Sequence, residues 1–560
     1  MAAPQWHLFV PKLFTVLREG YDVRALRADA IAGLTVAIVA LPLAMALGIA
    51  SGTTPDKGLV TAVIAGFLIS ALGGSRFQIG GPTGAFVVVV FNVIARHGYD
   101  GLVLATLLAG IMLIVAGLMR VGTWIKYIPD PVVTGFTTGI ALIIFSSQVR
   151  DLFGLSMTSV PAEFLEKWGA FWEARDTFNP WSVAVAGGAL AMILGLRRTA
   201  PRLPGFLVAV VTASVAVALF GLPVDTIGSR FGAIASGLPM PSFPAVSFAR
   251  VEELMPSAFT IAFLAGVESL LSAVVADGMT GRRHRSNCEL VAQGVANVAS
   301  ALFGGMPATG AIARTATNVR SGARSPVAGM LHAVFILAFM MTLAPLAAFV
   351  PLASLAAVLV VVAWNMSELH RFRRLLSAPR GDRAVLVLTF GLTVLVDLSV
   401  AIEVGVVLAA MLFMHRMAEA VAIEGGPAMF EEDEDDFAGT PSPEVSLRER
   451  LPAGVELFEL RGPLFFGAAG RLLDLLDATA HAPPAVFLLR MRAVPLVDAS
   501  GESALREFVR RCAATGTRVV LTELQPSARA MLERMKFDGH HPSVTITDDL
   551  EAALRALAAA

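Results

Sequence analysis

Long apolar runs separated by short polar loops extend from residue 30 to residue 418. A helix needs about 20 apolar residues to cross the hydrocarbon core of a bilayer. The pattern predicts fourteen transmembrane segments, some of them only half spans, at 30–50, 58–73, 82–96, 101–119, 131–149, 181–196, 204–220, 256–276, 287–303, 309–320, 327–345, 352–364, 384–399 and 402–418. This part of the chain is therefore predicted to be an all-α membrane domain.

Two glycine-rich boxes interrupt the apolar runs. Gln78–Gly84 reads Gln-Ile-Gly-Gly-Pro-Thr-Gly, and Phe303–Gly310 reads Phe-Gly-Gly-Met-Pro-Ala-Thr-Gly. Broken segments at corresponding places in two halves indicate a transporter's binding site. The helix that begins at each box directs free N–H groups and its positive dipole end into the membrane, which is the arrangement that holds an anion. The alternative is that both boxes are ordinary loops of small residues.

Charge placement predicts the orientation of the chain in the membrane. With the N-terminus inside, the inner loops hold twenty Lys and Arg and the outer loops hold seven, as the positive-inside rule requires. The outer seven are Lys57, Arg96, Arg150, Lys167, Arg175, Arg230 and Arg250. An even number of crossings also places both termini in the cytoplasm. The chain is therefore predicted to be a multi-pass protein of the cytoplasmic membrane.

Seven helices per half make the second half enter from the opposite side of the membrane. The two boxes then fall at helices three and ten, which are equivalent positions of a 7+7 inverted repeat. We expect the two half-helices to meet near the midplane with their N-termini facing each other. Thr83 and Gly84 are expected to begin helix three, and Thr309 and Gly310 to begin helix ten. Their hydroxyls and bare amides are candidate oxyanion donors, with plain N-capping as the alternative.

The chain changes character after residue 423. Residues 424–446 are acidic and contain prolines, which predicts a solvated linker. From Val455, alternating strands (455–460, 485–491 and 518–523) and an amphipathic helix (500–514) predict a small α/β domain. The predicted domains are a membrane domain at 1–423, the linker at 424–446 and the α/β domain at 447–560.

Composition excludes several classes of function. Charged residues make up 16% of the chain and mean hydropathy is +0.71, whereas soluble domains carry about 25% charged residues. A net charge of −1 without a basic, aromatic-interleaved stripe argues against nucleic-acid binding. The isolated Cys288 and Cys512 and the scattered histidines predict no metal site and no cofactor. Since the chain has no phosphate-binding loop and no nucleophile–base constellation, neither ATP-driven transport nor an enzyme is expected.

Glu268 is the most informative ionisable side chain. It lies mid-helix among apolar residues, where insertion of a charge costs about 2.5–3.5 kcal/mol, so it is a functional candidate by default. Ser272 lies four residues on, on the same helix face. A carboxylate in apolar surroundings takes up a proton more readily than in water, so Glu268 is predicted to couple anion uptake to protons. The alternative is a permanent ion pair with Arg314 that fixes helix packing.

Several separate motifs in order give this chain a family likeness. The stretches that carry it are Ala32–Ala46, Gln78–Gly84, Tyr127–Ala141, Glu268–Asp277 and Gly304–Gly322. The chain resembles the SulP family of anion transporters over nearly its whole length, and its tail resembles the STAS domain that these proteins carry. The resemblance implies a core of helices 1–4 and 8–11, a gate of helices 5–7 and 12–14, an elevator-like mechanism and a homodimer.

The resemblance also implies roles for particular residues. Several SulP members have an arginine beside the bound anion at the place of Arg314, which follows Ala313 just inside helix ten. A guanidinium adds bidentate donors, and a snorkelling arginine is the alternative. Leu43 and Leu47 match pocket-wall positions of the family, with generic helix packing as the alternative. An acidic residue at the place of Glu268 is linked in the family to proton or sodium coupling.

The tail contains one candidate modification site. Residues Val497–Gly501 resemble the loop in which anti-sigma-factor antagonists carry a phosphorylated serine, and Ser500 is the matching position. A helix N-terminus accepts a phosphate favourably, and simple N-capping by Ser500 is the alternative. Any cytoplasmic partner of the STAS domain stays unidentified at this level.

The sequence therefore predicts a secondary active transporter of a small inorganic or carboxylate anion, of the sulfate, bicarbonate or dicarboxylate class, coupled to protons. A sodium-coupled bicarbonate symporter is the first alternative. A nucleobase–proton symporter is the second, although those proteins lack the tail domain. A membrane-anchored signalling module that acts through the loop at Ser500 is the third.

Overall fold

The computed structural model describes residues 6–123, 129–157, 160–200, 203–233, 235–396, 398–419, 421–425, 451–466, 470, 472, 475–476, 483–537 and 544–558. Most of the predicted linker lies outside these residues, as does the start of the Tyr127–Ala141 stretch. The chain divides into two compact units, Met1–Val407 and Leu408–Ala560. The division falls inside a helix, and the predicted domain boundaries at 423 and 446 stay predictions.

The first unit is helical apart from two very short strands. Its helices are α1 (Lys12–Glu19), α2 (Val23–Ala50), α3 (Pro55–Leu72), α4 (Ala85–Leu118), α5 (Asp130–Phe153), α6 (Phe164–Glu173), α7 (Pro180–Thr199), α8 (Gly205–Phe220), α9 (Ile227–Phe231), α10 (Phe248–Thr280), α11 (Ser286–Leu302), α12 (Ile312–Arg320), α13 (Val327–Ala347), α14 (Leu352–Met366), α15 (Leu369–Leu375), α16 (Arg380–Leu395) and α17 (Leu398–Glu419). The strands are β1 (Gly80–Gly81) and β2 (Thr309–Gly310).

Each of the fourteen predicted apolar stretches overlaps one of these helices. The stretches 82–96 and 101–119 share α4, whose non-helical Gly98 (φ 71°, ψ −178°) marks a kink between them. Nine helices among the described residues are long and apolar enough to cross a membrane, and Gly205–Phe220 is a shorter apolar helix. The membrane helical fold is thus confirmed. The fourteen predicted segments are apolar helical stretches, and fourteen is not an exact number of membrane crossings.

Packing sorts the long helices into two bundles. In the first, α4 packs along α10 and α11, and α13 packs along α2 and α3. In the second, α5 packs along α14 and α16, and α7 packs along α8 and α14. The helices named here divide as the family resemblance implies for a core and a gate, and α12 packs against α10 and α2 of the first bundle. The boxes belong to the first bundle, and the second lies beside them through α5 and α14.

The second unit holds a five-stranded sheet in the order β3-β4-β5-β6-β7. Its strands are β3 (Ala422–Gly425), β4 (Val455–Arg461), β5 (Val486–Ala493), β6 (Arg518–Thr522) and β7 (Val544–Thr547), and its helices are α18 (Ala499–Ala514), α19 (Pro526–Arg534) and α20 (Leu550–Ala558). Strand β3 runs antiparallel to β4, and the other neighbours are parallel. Apolar clusters cover both faces, one around Phe487 and Phe508 and the other around Leu488 and Leu554. The predicted α/β tail is confirmed, whereas the sequence did not predict strands β3 and β7.

Candidate functional site

The two glycine-rich boxes contact each other directly. Strands β1 and β2 pair antiparallel, with Gly80 opposite Gly310 and Gly81 opposite Thr309. The pairing continues where the Ala311 amide donates to the Ile79 carbonyl at 2.8 Å. Antiparallel contact between two broken segments is what an inverted repeat requires at its centre. Helices α4 and α12 leave this pair within a few residues, so their N-termini share one region.

A fully buried carboxylate holds the chain that leads into the first box. Glu289 on α11 accepts hydrogen bonds from the amides of Gly74 (2.9 Å) and Ser75 (3.1 Å). It also accepts from the Ser269 hydroxyl (3.2 Å) and from the Gln293 amide (3.0 Å). All these groups are buried. Because four donors converge on one carboxylate, the turn after α3 is fixed to both α10 and α11.

The side chain of Gln78 extends this network to the second box. Its amide donates to the Ser269 hydroxyl at 2.7 Å. A Cβ atom added at Gly310 would lie only 1.8 Å from that amide nitrogen. The absence of a side chain at Gly310 is therefore what lets the two boxes close together over Gln78.

Other buried polar side chains clamp the second box. Asn297 donates to the Ala308 carbonyl and accepts from the Ala308 amide, both at 2.8 Å. Ser300 donates to the Met306 carbonyl at 2.7 Å, and the Met306 amide donates to the Thr61 hydroxyl at 2.7 Å. Buried backbone groups are rarely left unpaired, and here side chains replace the missing helical partners. The irregular backbone is thus tolerated at membrane depth.

Arg314 lies between the two boxes and is almost completely buried, with 3% of its surface exposed. One terminal nitrogen, Nη2, donates to the Pro82 carbonyl of the first box. Its Nε and Nη1 have no protein partner within the described residues. Gly81 has φ +145°, and a Cβ atom there would lie 2.7 Å from Nη1. The guanidinium therefore rests against bare backbone, with free donors beside the start of α4.

Glu268 lies on α10 opposite the first box and is half-buried. The Thr83 hydroxyl donates to its Oε2 at 2.9 Å. Glu268 and Arg314 interact electrostatically, yet their direct contacts are with Thr83 and Pro82 respectively. The packing alternative, a permanent ion pair between them, is therefore not formed. A carboxylate, a hydroxyl and a guanidinium instead surround one region at the two helix ends.

Three candidate residues are placed differently from expectation. Thr309 and Gly310 form β2 and do not begin a helix, because α12 starts only at Ile312. The Thr309 hydroxyl is fully buried and donates to the Ala265 carbonyl at 2.7 Å, so it is not directed at an anion. Ser272 is also fully buried and donates to the Thr315 hydroxyl at 3.0 Å, not to Glu268. These hydroxyls satisfy protein groups.

The other candidate residues lie near the two helix ends and differ in how much surface they expose there. Gly84 is the N-cap of α4, and a Cβ atom there would meet Met366 and Ile144 of the second bundle. Ala313 is exposed in the first turn of α12. Leu43 is 9% exposed and Leu47 only 1% exposed on α2, which packs against α12. Leu47 therefore offers less surface to a ligand than Leu43 does.

A cavity of about 510 Å³ lies beside α10. Val267 and Leu271, which flank Glu268 on the helix, form part of its wall. Its lining includes Asp130 and Arg371, which form an ion pair, together with His284, Thr123 and Ser286. The loops at that end of α5 and α10 carry the basic residues predicted to face the cytoplasm. The cavity therefore lies beside the part of α10 that carries Glu268, although Glu268 itself does not line it.

Ser500 in the tail is exposed near the start of α18 but does not cap this helix. Asp498 is the N-cap, and its carboxylate accepts from the Gly501 amide at 2.7 Å. The interpretation of Ser500 as an N-cap is therefore wrong. The side chain of Asp498, two residues earlier, already occupies that position, while Ser500 stays exposed.

The sequence analysis did not identify the buried polar residues that hold the two boxes in place. Ser269, Glu289 and Asn297 contact the boxes or the residues next to them. Glu289 and Asn297, polar residues within an apolar stretch, carried the same signal that identified Glu268. No cluster of three or more His, Cys, Asp or Glu in the described part of the chain is placed to hold a metal ion.

The chain is similar to known transporters over nearly its full length. A family model described as the sulfate permease family matches residues 26–389, and a STAS domain model matches residues 450–553. The Bacillus subtilis protein named "Putative sulfate transporter YvdB" is 40% identical over 537 residues, covering 94% of this chain and 98% of that protein. The bicarbonate transporter BicA of Picosynechococcus is 30% identical over 546 residues, covering 95% and 94%.

The solved structure of the murine Slc26a9 anion transporter has a TM-score of 0.86 to this chain at 17% identity, covering 100% of this chain and 96% of that one. At this identity the likeness concerns the fold alone.

Proposed function

Because the chain belongs to the sulfate permease family of anion transporters, we propose that it carries a small oxyanion across the cytoplasmic membrane as a proton-coupled secondary transporter. The observation that carries this proposal is the β1–β2 pairing, which brings the starts of α4 and α12 together beside Arg314. Sulfate and bicarbonate are the first substrates to test, since relatives named for each align along nearly the whole chain.

Anion binding in this proposal combines three sources of positive potential. The N-termini of α4 and α12 each present N–H groups without an intrahelical acceptor. Arg314 adds two donor nitrogens, Nε and Nη1, that no described protein group accepts from. A hydrogen bond to a charged group contributes about 1.5–3 kcal/mol. The exposed Ala313 leaves room for the anion at the start of α12, and Leu43 supports the anion from α2. Gly84 contributes bare backbone at the start of α4, where Met366 and Ile144 pack closely against it.

Coupling in this proposal resides in Glu268. Its carboxylate shares the region with the bound anion, so like charges oppose simultaneous occupancy by an anion and an ionised Glu268. A proton on Glu268 removes that repulsion, and proton and anion then move together. Thr83 orients the carboxylate, because its hydroxyl donates to Oε2. Sodium coupling is the alternative, in which the cation replaces the proton.

Alternating access in this proposal follows from the two-bundle packing. The site belongs to the first bundle, while Ile144 and Met366 of the second bundle face Gly84. A shift of the first bundle against the second moves the whole site, as an elevator mechanism requires. The proposal retains a homodimer with both termini in the cytoplasm, and it leaves the partner of the STAS domain open.

Uptake of radiolabelled sulfate, bicarbonate and fumarate into proteoliposomes under imposed pH and sodium gradients tests the proposal. We expect an inward proton gradient to drive uptake of at least one anion. Arg314→Ala should raise the half-saturation concentration at least about tenfold, since a charge-assisted contact is lost. Arg324→Ala, which removes a cation from the loop after α12, is the control. Unchanged anion affinity in Arg314→Ala would contradict this site.

Glu268→Gln separates the coupling alternatives. We expect this variant to lose proton-driven accumulation while still exchanging anions. Accumulation that stays fully proton-driven in Glu268→Gln would remove Glu268 from coupling. Uptake that depends on sodium and ignores pH would favour the sodium-coupled alternative. A signalling module that acts through the loop at Ser500 would be favoured by two results together. These are no uptake of any anion, and intact regulation in an Arg314 variant that does not transport.

A further inference from the structure

Lys167 is a buried cation outside the site described above. It lies on the short helix α6, in a loop predicted to be external, and only 2% of its surface is exposed. Its Nζ donates to the Ser147 hydroxyl of α5 at 3.4 Å and lies 5.6 Å from the centre of the Phe91 ring of α4. The side chain thus reaches inward from the loop to the seam between the two bundles.

The ammonium lies close to the start of α4. Gly84 faces Ile144 of α5, because a Cβ atom at Gly84 would be 3.2 Å from its Cδ1. Ser147 is three residues further along α5, about 4.5 Å at the helical rise, and Phe91 is seven residues further along α4, about 10 Å. Lys167 Nζ is therefore about 5–10 Å beyond the helix ends on the predicted outer side.

No carboxylate compensates this charge within the described residues. None of the ion pairs formed there includes Lys167. A buried charge is costly unless it is paired, and a hydroxyl at 3.4 Å with one aromatic ring compensates it weakly. An isolated ammonium on the outer side of an anion site fits an anion as its partner.

We propose that the Lys167 ammonium forms a second anion position, which an anion occupies on its way between the outside and the helix ends of α4 and α12. This inference rests on the proposed transport function. In it, the Lys167 ammonium draws the anion into the seam. The Ser147 hydroxyl donates to the Ile143 carbonyl at 2.9 Å and accepts from the ammonium, so it positions Lys167 and does not donate to the anion. Movement of the first bundle against the second separates Phe91 from Ser147 and so opens or closes this position.

Burial, and not a charged neighbour, shifts the pKa of Lys167. The charged residues on the elements around it are Glu163, Glu166, Glu173, Arg175 and Asp176 on or just after α6, Asp130, Arg150 and Asp151 on α5, Arg96, His97 and Asp100 on α4, and Arg380, Asp382 and Arg383 on α16. Burial lowers the pKa of Lys167 to about 8. The ammonium therefore loses charge as external pH rises from 7 to 9, and anion capture should weaken over that range.

The test compares uptake of external radiolabelled sulfate and bicarbonate by proteoliposomes that contain the full chain. Lys167→Met keeps the side-chain length without charge, and Lys167→Arg keeps the charge. Arg175→Met removes a cation from an exposed position just after the same helix. We expect Lys167→Met to raise the external half-saturation concentration about tenfold with a maximal rate within about twofold of wild type. Lys167→Arg and Arg175→Met should stay near wild type.

The pH profile supplies a second readout. Wild-type half-saturation should rise between external pH 7 and 9, whereas Lys167→Arg should show a flatter profile. Wild-type half-saturation in Lys167→Met, in protein that transports anions, would overturn the second position and leave the proposed function intact. If Lys167→Met does not fold, a wild-type profile as flat as that of Lys167→Arg would overturn it equally. Failure of wild type to take up either anion would instead count against the proposed function.

Discussion

Replacing Glu289 tests whether the buried network, and not local sequence, holds the first box in place. Glu289→Ala leaves the amides of Gly74 and Ser75 buried without an acceptor. Each stranded buried donor costs about 1–3 kcal/mol, so the pair costs about 2–6 kcal/mol. Ser269 and Gln293 lose the same acceptor, but Gln293 Oε1 is without a partner and accepts from Ser269 after a rotation. The loss of this acceptor by Ser269 and Gln293 therefore adds no further cost to the free energy of unfolding.

Glu289→Gln is the matched control. The amide oxygen of the new residue still accepts from Gly74 and Ser75, while its NH₂ group donates to Ser269 or to a rotated Gln293. We expect this variant to lose no more than about 1–2 kcal/mol, less than half of the upper loss for alanine. The free energy of unfolding is measured with the full chain in mixed micelles across a denaturant series. A loss below about 1 kcal/mol for alanine, or equal losses for both variants, would refute the reasoning.

Three further predictions concern other parts of the chain. Gly310→Ala places a methyl group against the Gln78 amide, so uptake of labelled sulfate should fall and the midpoint of thermal unfolding should drop; unchanged values of both would contradict the close contact. Asp498→Ala removes the N-cap of α18 at about 1 kcal/mol, and hydrogen exchange of its first-turn amides in the full chain should accelerate about fivefold. Burial raises the pKa of Glu459, but the hydrogen bond and charge of Arg492 outweigh it and leave the pKa below its usual range. Ionised Glu459 therefore stabilises the tail sheet above about pH 4.3, and this stabilisation is lost as pH falls through the folded-state pKa. In Glu459→Gln, the stability of the sheet should depend less on pH in the acid range, as measured by hydrogen exchange corrected for the intrinsic rate.

The helices of the first unit follow from local pattern. A run of apolar residues long enough to cross a membrane has few folded alternatives, because only a helix satisfies every backbone group within the segment. The boxes at Gln78–Gly84 and Phe303–Gly310 are visible for the same reason, since glycine and proline interrupt that pattern. The periodic pattern of the tail also predicts structure, since its three predicted strands match β4, β5 and β6, which pair in parallel.

The side chains that contact the two boxes could not be predicted from the sequence. Glu289 and Gly74 are 215 residues apart, and Arg314 and Pro82 are 232 residues apart. Spacing along one helix carries no information about such a contact, since it depends on how helices from both halves pack. For the same reason Thr309 and Ser272, which look like available hydroxyls, turn out to be satisfied by Ala265 and Thr315.

The sequence by itself determined that this protein is a membrane helical bundle with two broken segments and an α/β tail, because hydropathy and backbone chemistry are local properties. Only the tertiary structure decided that the broken segments pair with each other, that Glu268 contacts Thr83 and not Arg314, and that Lys167 is buried against α4 and α5. Those outcomes depend on which distant side chain satisfies each buried polar group, and that choice is made when the helices pack.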